Sequence, residues 1–513
     1  MDRRHVLKLA LATAGATWLA RSSWAQFRFG SNPFALGVAS GAPLQDSVVL
    51  WTRLIGDLPA QPVTVLWEVA HDEQFTRIVQ KGQQQALPEL AHSVHAEVSG
   101  LEPDRWYFYR FMTGDAMSAV GRTRTMPAPD AAPARMRLSY ASCQRWDHGY
   151  FSAYKHMVRE DLDFVLFLGD YIYEYAANSK AVRLPTGGNV ITLDEYRARY
   201  ALHRSEEGLQ AMHAACPWLL AWDDHEVQND YAGLIAGDGV QAPDFKRRRA
   251  DAYQSYYEHM PMRASVLTRA VAGLHEGAET RMYSQQRFGK LANIVMIDDR
   301  QYRDEHACNP GGKLGSATID PATCAIWDDP KRTILGADQE KWLDGVFAQR
   351  GATWTVLGQQ TLFGQRNFTT GSGVRLWNDG WDGYTAARTR LTESLQRNQT
   401  SNPVLLGGDV HENWVGYVKT DYQKPDSATV GVEFCGTSVT SRSVEYDAAA
   451  ILAKNPHFIF ADNKRKGYGV VEFTPKGLTT TLRVVDDVTQ PVSKIETLAT
   501  FAVEAGRTRI EKI

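Results

Sequence analysis

Residues 164–173, Phe-Val-Leu-Phe-Leu-Gly-Asp-Tyr-Ile-Tyr, join a continuous apolar run to a short polar loop. A run of five apolar residues without alternation is typical of a strand buried on both faces of its sheet. Gly169 lets the backbone turn closely, so the Asp170 carboxylate and the Tyr173 phenol share one loop. The pair could reach a single cation, although two surface side chains on a turn would also explain the segment.

Five further apolar runs repeat this pattern along the chain, at 137–142, 218–222, 293–297, 353–357 and 403–406. Segments with helical spacing lie between them, such as 245–260 and 339–349. Buried strands that alternate with helices predict an α/β fold whose sheet is covered by helices. The more strongly alternating runs 429–434, 469–473 and 478–485 predict antiparallel strands. A helix is one option for the C-terminal segment 491–513.

Polar residues follow the end of each buried run. They are Cys143, Asp170, Asp223, Asp224, His225, Glu226, Asp298, Asp299, Arg300, Gln359, Gln360, Asp409 and His411. Loops at the carboxyl ends of parallel strands converge, so we expect these side chains at one rim of the sheet. A single aspartate is more simply explained as a helix N-cap, but so many carboxylates at one rim would repel each other unless cations neutralise them.

Individual segments within this set favour metal ions. Residues 223–230, Asp-Asp-His-Glu-Val-Gln-Asn-Asp, offer oxygen ligands that suit a hard cation, and Asn229 stands where a zinc-protease helix would need a second histidine. Asp409 and His411 would lie on one side of an extended segment, because side chains alternate there. Cys143 enters the same acidic rim, either as a metal-bound thiolate or as a free structural thiol.

The first 130 residues have a different pattern. Short alternating runs broken by Gly, Pro and Asp predict a small all-β domain of the immunoglobulin or fibronectin type over residues 32–127. A Pro- and Ala-rich stretch near residue 130 is typical of a linker, so a second domain is expected over 135–490. Residues 1–25 have the layout of a twin-arginine export signal, and a retained N-terminal helix is the alternative.

Composition excludes several classes of protein. The chain has 513 residues, is 43% hydrophobic and 22% charged, and carries a net charge of -3. These values argue against disorder, a multi-span membrane protein and a general binder of nucleic acid. A disulfide between Cys308 and Cys324 could close a Gly-rich insertion, whereas Cys216 and Cys435 are assigned to packing. The basic run 246–249 is interpreted as the solvated face of a helix rather than an anion site.

Together, these motifs resemble the PhoD-like alkaline phosphatases of the metallophosphoesterase superfamily. The segments that carry the resemblance are FALGVASG at 34–41, VLWTR at 49–53, ASCQ at 141–144, GDYIYE at 169–174, DDHE at 223–226 with NDY at 229–231, DDRQYR at 298–303 and GDVH at 408–411. The resemblance implies a two-sheet α/β/β/α phosphoesterase sandwich after the small β-domain. It also implies an active site that holds iron(III) and calcium.

Eight residues would bind the two ions, namely Cys143, Asp170, Tyr173, Asp223, Asp224, Asn229, Asp409 and His411. The resemblance places the iron ligands at Cys143, Asp170, Tyr173 and Asp409. Asp170 would also bridge to calcium, which Asp224 and Asn229 would help to hold. The division of Asp223, Asp409 and His411 between the two ions stays open.

The implied reaction is phosphate-ester hydrolysis. Metal ions would polarise the phosphoryl oxygens and lower the pKa of a bound water for in-line attack on phosphorus. His225 would protonate the leaving alkoxide or hold the phosphate, and Arg300 would offset charge on the equatorial oxygens. The expected protein is a periplasmic or secreted monomer, exported by the twin-arginine machinery, with neither a transmembrane anchor nor a specific nucleic-acid partner.

Two alternatives to a phosphatase remain at this point. A phosphodiesterase or phospholipase-D-like hydrolase could use the same site on phosphate diesters. A cell-surface binding protein could carry the acidic rim as a structural calcium site, but structural calcium explains neither Cys143 nor Tyr173.

Overall fold

The structure is a computed structural model that describes residues 28–267 and 279–513. The predicted export signal at 1–25 lies outside the described residues. The described part is a mixed α/β fold rich in β-sheet, as the sequence predicts. Within it, every helix falls short of the length or the apolar character that crossing a membrane would need.

Eight strands come from the N-terminal part of the chain. They are β1 (Val38–Gly41), β2 (Ser47–Arg53), β3 (Val63–Ala70), β4 (Ile78–Ala86), β5 (Ser93–Ser99), β6 (Trp106–Thr113), β7 (Ala116–Met117) and β8 (Gly121–Arg124). Strands β4-β3-β6-β7 form one antiparallel sheet, with β8 also paired to β6. Strands β1, β2 and β5 form the facing layer, and Leu50, Val69 and Tyr109 share a core between the two.

The remaining strands follow residue 135. They are β9 (Met136–Ala141), β10 (Phe164–Leu168), β11 (Trp218–Ala221), β12 (Ser284–Phe288), β13 (Ala292–Met296), β14 (Thr318–Ile319), β15 (Trp354–Gly358), β16 (Leu376–Trp377), β17 (Pro403–Gly407), β18 (Asn413–Lys419), β19 (Thr429–Cys435), β20 (Phe458–Asp462), β21 (Lys466–Phe473), β22 (Gly477–Val485), β23 (Ile495–Glu504) and β24 (Ile510–Lys512). The six predicted buried runs all form strands, and their bounds agree to within one residue.

The described α-helices lie between these strands. They are α1 (Ser152–Met157), α2 (Leu193–Arg204), α3 (Glu207–Ala215), α4 (Phe245–His259), α5 (Ala337–Phe347), α6 (Thr385–Arg397) and α7 (Ala448–Lys454). The two helices that the sequence predicts at 245–260 and 339–349 correspond to α4 and α5. Helix α2 begins with a capping box between Thr192 and Glu195, the arrangement that satisfies free N–H groups at a helix start.

Two large sheets dominate the fold. One has the order β24-β23-β22-β21-β9-β10-β11-β1-β2-β5 and the other β12-β13-β15-β17-β19-β18-β20. Strands β9, β10 and β11 are parallel, as are β13, β15, β17 and β19. Gly41 of β1 pairs in parallel with Trp218 of β11, so the N-terminal strands continue the large sheet.

Three apolar cores hold the layers together. Leu166 and Leu168 of one large sheet belong to the same apolar cluster as Ile294 and Val356 of the other, so the two sheets face each other. On its other face, the ten-stranded sheet packs against α1 to α4, and the seven-stranded sheet packs against α5 and α6. This arrangement buries β10 on both faces, and all five of its residues are buried.

The C-terminal segment is a pair of strands rather than the helix considered for residues 491–513. Strand β23 pairs antiparallel with β22 along its whole length. Ala499, Phe501 and Val503 are buried at alternating positions, the period of a strand with one face in the core. The Phe501 ring centroid lies 5.5 Å from that of Phe460.

The basic run at the start of α4 is only half solvated, which corrects its interpretation as a solvated face. Lys246 and Arg247 are exposed, but Arg248 and Arg249 are buried. The Arg248 guanidinium donates to the carbonyl oxygens of Val190 and Val240, both at 2.7 Å. A guanidinium that donates to several carbonyl oxygens can be buried, because its N–H groups are satisfied by protein acceptors.

Candidate metal centre

The carboxyl ends of the parallel strands meet at one rim, and the strand-end residues converge there. Cys143 follows β9, Asp170 follows β10, Asp223 and Asp224 follow β11, and Asp409 follows β17. The Cys143 amide donates to the Gly169 carbonyl at 3.1 Å, which ties the first two loops together. The sheet topology therefore explains why residues far apart in sequence share one site.

Four of the predicted metal ligands have left-handed backbone conformations. Their φ angles are 60° for Cys143, 58° for Asp170, 61° for Asp409 and 59° for His411. Non-glycine residues adopt this region at a cost and concentrate in it at functional sites. The prediction of an extended segment from Asp409 to His411 was wrong, because both residues turn the chain.

One group of donors joins three of these loops. Cys143, Asp170 and His411 each offer a ligand atom, and these atoms lie within 4.8 Å of one another. The Tyr173 hydroxyl donates to Asp170 Oδ2 at 2.7 Å and lies 3.0 Å from His411 Nε2. Burial and the neighbouring Asp170 carboxylate raise the pKa of both Cys143 and Tyr173, so their anionic forms need a nearby cation.

A second group of donors shares Asp170 with the first. Asp170, Asp224 and His225 offer ligand atoms that again lie within 4.8 Å of one another. Asn229 lies on the same loop and its side-chain amide donates to Asp238 at 2.7 Å. Asp170 thus belongs to both groups of donors.

Several buried carboxylate oxygens fit a cation better than any protein partner. Asp170 Oδ1, Asp223 Oδ2 and Asp409 Oδ2 have no hydrogen-bond donor among the described residues. Burial raises the pKa of Asp170 and Asp223 well above the usual range, and that of Asp409 to about 7. Positive charge placed among them would stabilise the ionised forms, so the donor set suits bound metal ions.

Gly169 and Glu226 shape the floor of this cluster. At Gly169, φ is 109° and a Cβ atom would lie 2.4 Å from that of Asp223, so only glycine fits without displacement. The Glu226 carboxylate accepts from the amides of Asp170, Tyr171 and Asp223 at 3.1, 2.5 and 2.7 Å. One buried carboxylate therefore fixes the loops after β10 and β11 relative to each other.

Arg300 lies beneath the carboxylates rather than at the surface of the site. Its side chain is 0% exposed, its Nε donates to Asp223, and its Nη1 donates to Asp379 Oδ1 at 2.8 Å. Asp379 also accepts from Arg303 Nη1 at 2.9 Å and contacts His306 Nε2 at 2.6 Å. The predicted role of Arg300, to offset charge on the equatorial oxygens, stays a prediction, and in this enclosed position the guanidinium contacts carboxylates.

Two buried carboxylates that the sequence analysis did not single out, Glu174 and Asp379, contact the candidate site residues. Glu174 Oε2 lies 2.7 Å from His225 Nδ1, and Glu174 Oε1 accepts from the Asn229 amide at 2.8 Å. Burial opposes charge on His225, but Glu174 and the neighbouring aspartates raise its pKa above the usual range. Glu174 directly follows Tyr173 in the GDYIYE segment, whereas no motif marks Asp379.

Cys308 and Cys324 form the disulfide that the sequence left open, and Cys216 and Cys435 are buried free thiols. The insertion that the disulfide closes contacts the acidic rim. The Ser316 amide donates to Asp230 Oδ2 at 3.1 Å, and the Asp230 amide donates to Asp224 Oδ2 at 2.6 Å.

Comparisons with known proteins show which family the chain belongs to. A family model described as PhoD-like phosphatase matches residues 138–482, and one described as PhoD-like phosphatase, N-terminal domain, matches residues 19–127. The chain is 45% identical over 500 residues to alkaline phosphatase D of Bacillus subtilis (strain 168), which covers 94% of this chain and 83% of that protein. A solved structure of PhoD matches with a TM-score of 0.88 and 43% identity, covering 95% of this chain and 93% of that one.

Proposed function

The chain belongs to the PhoD-like phosphatase family and is a phosphate-ester hydrolase, and on that premise we propose that its strand-end cluster is a two-metal active site. The observation that carries this proposal is the position of Asp170, which belongs to both groups of metal-ligating side chains. One carboxylate shared by two clusters is what a bridged pair of cations requires.

The chemistry of the donors supports iron(III) on one side and calcium on the other. Cys143, Tyr173 and His411 offer sulfur, phenolate and imidazole donors next to Asp170, and Asp409 lies on the same loop as His411. Asp223, Asp224 and Asn229 offer only oxygen donors, which calcium prefers. When bound, the ions supply Lewis acidity and lower the pKa of water for attack on phosphorus.

His225 and Glu174 are proposed to handle the proton of the leaving group. The 2.7 Å contact between Glu174 Oε2 and His225 Nδ1 fixes the orientation of the imidazole ring, and in this proposal the other nitrogen, Nε2, serves the substrate rather than a metal ion. The His225 ring centroid lies 4.0 Å from that of Tyr173, next to the donor cluster. A protonated imidazole in this place can donate to an alkoxide as it departs.

Arg300 is proposed to act as a buried counter-charge for the aspartates. Its guanidinium lies between Asp223 and Asp379 and within 4.0 Å of Asp409. It therefore limits the repulsion among the carboxylates and holds Asp223 in one orientation.

The finer organisation of the protein is also a proposal. We assign residues 32–127 to an immunoglobulin-like sandwich and residues 135–490, extended by strands β23 and β24, to a two-sheet α/β/β/α phosphoesterase sandwich. Residues 1–25 are assigned to twin-arginine export, which would deliver a periplasmic or secreted monomer. Two facing sheets, each with helices on its outer side, support the catalytic part of this assignment.

Replacement of the bridging residue tests the two-metal site. Asp170→Asn should abolish turnover of p-nitrophenyl phosphate and remove bound metal, because the amide cannot supply the shared negative charge. Asp161→Asn is the matched control, since Asp161 is exposed and pairs with Arg135 at the surface. Full activity in Asp170→Asn would refute the proposal. The ratio of monoester to diester turnover in the native enzyme identifies the preferred class of substrate.

A further inference from the structure

A second arginine lies at the candidate metal centre and is not enclosed as Arg300 is. Arg145 comes two residues after Cys143, and 11% of its side chain is exposed. Its guanidinium carbon lies 5.6 Å from the ring centroid of Tyr173 and 5.3 Å from that of Tyr175. Arg145 therefore adjoins a proposed iron ligand and retains access to solvent.

Contacts on several sides hold Arg145 in place. Asp147 accepts from Arg145 Nε at 2.8 Å and from Nη2 at 3.2 Å, a two-point ion pair. The Arg145 amide donates to Ser441 Oγ at 3.2 Å, and its carbonyl accepts from Thr440 Oγ1 at 2.8 Å. The Ser441 hydroxyl also lies 2.8 Å from that of Tyr173, so the segments carrying Arg145 and the metal ligands are linked.

One end of the guanidinium stays available. Asp147 engages Nε and Nη2, while Nη1 has no acceptor among the described residues and is not sealed from solvent. In Arg300, by contrast, Nε and Nη1 bind carboxylates and no part of the side chain is exposed. A pre-organised guanidinium with a free N–H group is well suited to a phosphoryl oxygen.

We propose that Arg145 binds a non-bridging oxygen of the substrate phosphate and favours phosphate monoesters over diesters. This inference rests on the proposed function, because cations at the donor cluster would hold the phosphate beside Tyr173. A monoester at neutral or alkaline pH carries about two negative charges and a diester carries one, so a fixed positive charge attracts the monoester more strongly. Asp147 acts as a positioning residue that orients Arg145.

The competing explanation is that Arg145 only supports Tyr173. A cation next to an aromatic ring stabilises the anionic form of a phenol, and this alone would help metal binding. The two roles differ in what a substitution changes. A supporting role predicts loss of metal and an equal fall in activity on every ester, whereas substrate contact predicts intact metal and a selective fall.

The test compares Arg145→Gln, Arg145→Lys and Asp147→Asn with the native enzyme and with Arg159→Gln, a control that removes an exposed arginine. The measurements are metal content, inhibition by inorganic phosphate, and kcat/KM for p-nitrophenyl phosphate and bis(p-nitrophenyl) phosphate. A charge-assisted hydrogen bond to phosphate predicts that Arg145→Gln lowers monoester kcat/KM about 10- to 100-fold. The diester loss should be at least about fivefold smaller, because a diester carries one charge fewer.

The other readouts should follow the same pattern. Arg145→Gln should weaken inhibition by inorganic phosphate about tenfold or more and leave metal content unchanged. Arg145→Lys should recover part of the monoester activity, and Asp147→Asn should show a smaller loss in the same direction. Equal losses on both esters, unchanged inhibition by phosphate, or loss of metal in Arg145→Gln would each overturn the inference. Failure of the two-metal proposal would differ, since the native enzyme would then be active without bound metal.

Discussion

His95 provides a quantitative test of how the N-terminal strands are attached to the rest of the fold. It lies on β5, and its ring stacks on Tyr257 of α4 with a centroid distance of 4.3 Å. Its Nε2 lies 2.9 Å from the Tyr257 carbonyl oxygen and 3.0 Å from that of Met260. Burial lowers the pKa of His95 from 6.5 to about 4, and the two carbonyl contacts only partly offset this effect.

The lowered pKa fixes the sign of the effect on stability. The folded protein keeps His95 neutral, whereas the unfolded chain takes up a proton below pH 6.5. The contribution of His95 to the free energy of unfolding is therefore fully present above pH 6.5 and is lost as the pH falls toward 4. At pH 4.5 the loss amounts to about 2.5 kcal/mol. His95→Gln removes the titration but keeps an N–H group that can donate to the same carbonyls.

The assay is urea unfolding of native protein and His95→Gln at pH 7.5 and at pH 4.5. At pH 7.5 the variant should be less stable by about 1 kcal/mol, because the ring stacking is lost. At pH 4.5 the variant should be more stable by about 1.5 kcal/mol, because only the native protein has a histidine that must stay neutral on folding at a pH where the unfolded chain is protonated. A difference between the two proteins that stays constant within about 0.5 kcal/mol from pH 7.5 to 4.5 would refute the reasoning.

Three further variants, one of them a double substitution, test the site and the nearby disulfide. Gly169→Ala should lower the free energy of unfolding by about 1–3 kcal/mol and reduce metal content, because φ is 109° and the new Cβ would collide with Asp223. The control is Gly371→Ala, which should leave the free energy of unfolding and the metal content unchanged, because no atom lies within 4 Å of its new Cβ. Glu174→Gln should lower turnover of an alkyl phosphate about 10- to 100-fold but spare p-nitrophenyl phosphate, whose leaving group needs no proton, and equal losses would argue against a proton-transfer role. Replacing Cys308 and Cys324 by serine should lower the free energy of unfolding by about 2–4 kcal/mol, and unchanged urea unfolding would show that the bridge is not stabilising.

Many of the parallel strands can be predicted from sequence, because a strand buried on both faces is a continuous apolar run. The runs at 164–168 and 403–406 are continuous apolar segments, and both form strands at those positions. The convergence of Cys143, Asp170 and His411 also follows, since parallel strands deliver their carboxyl ends to one rim. These conclusions depend on neighbours in sequence and on a general property of parallel sheets.

Contacts between distant segments could not be predicted in the same way. Asp379 lies 79 residues after Arg300 and carries no motif, yet it binds the Arg300 and Arg303 guanidinium groups. The burial of Arg248 depends on the carbonyls of Val190 and Val240, which only the folded chain brings near it. Such partners are set by tertiary packing, which local patterns do not encode.

The C-terminal segment shows a different cause of error. Its alternation of buried residues is that of a strand, but the period is interrupted where the register between β22 and β23 shifts near Leu482. The local pattern is therefore compatible with a helix as well, and pairing with β22 makes the segment a strand. Pairing with a neighbouring strand determines whether such a segment forms a strand, because the intrinsic preference of its residues for β-structure is weak.

Elemental analysis of the purified native protein tests the central claim most directly. The two-metal account predicts about one iron and at least one calcium per chain, with the iron lost in Asp170→Asn together with phosphatase activity. Activity should return to metal-stripped native protein only when both ions are restored. Native protein that hydrolyses phosphate esters at full rate while containing neither iron nor calcium would contradict the account.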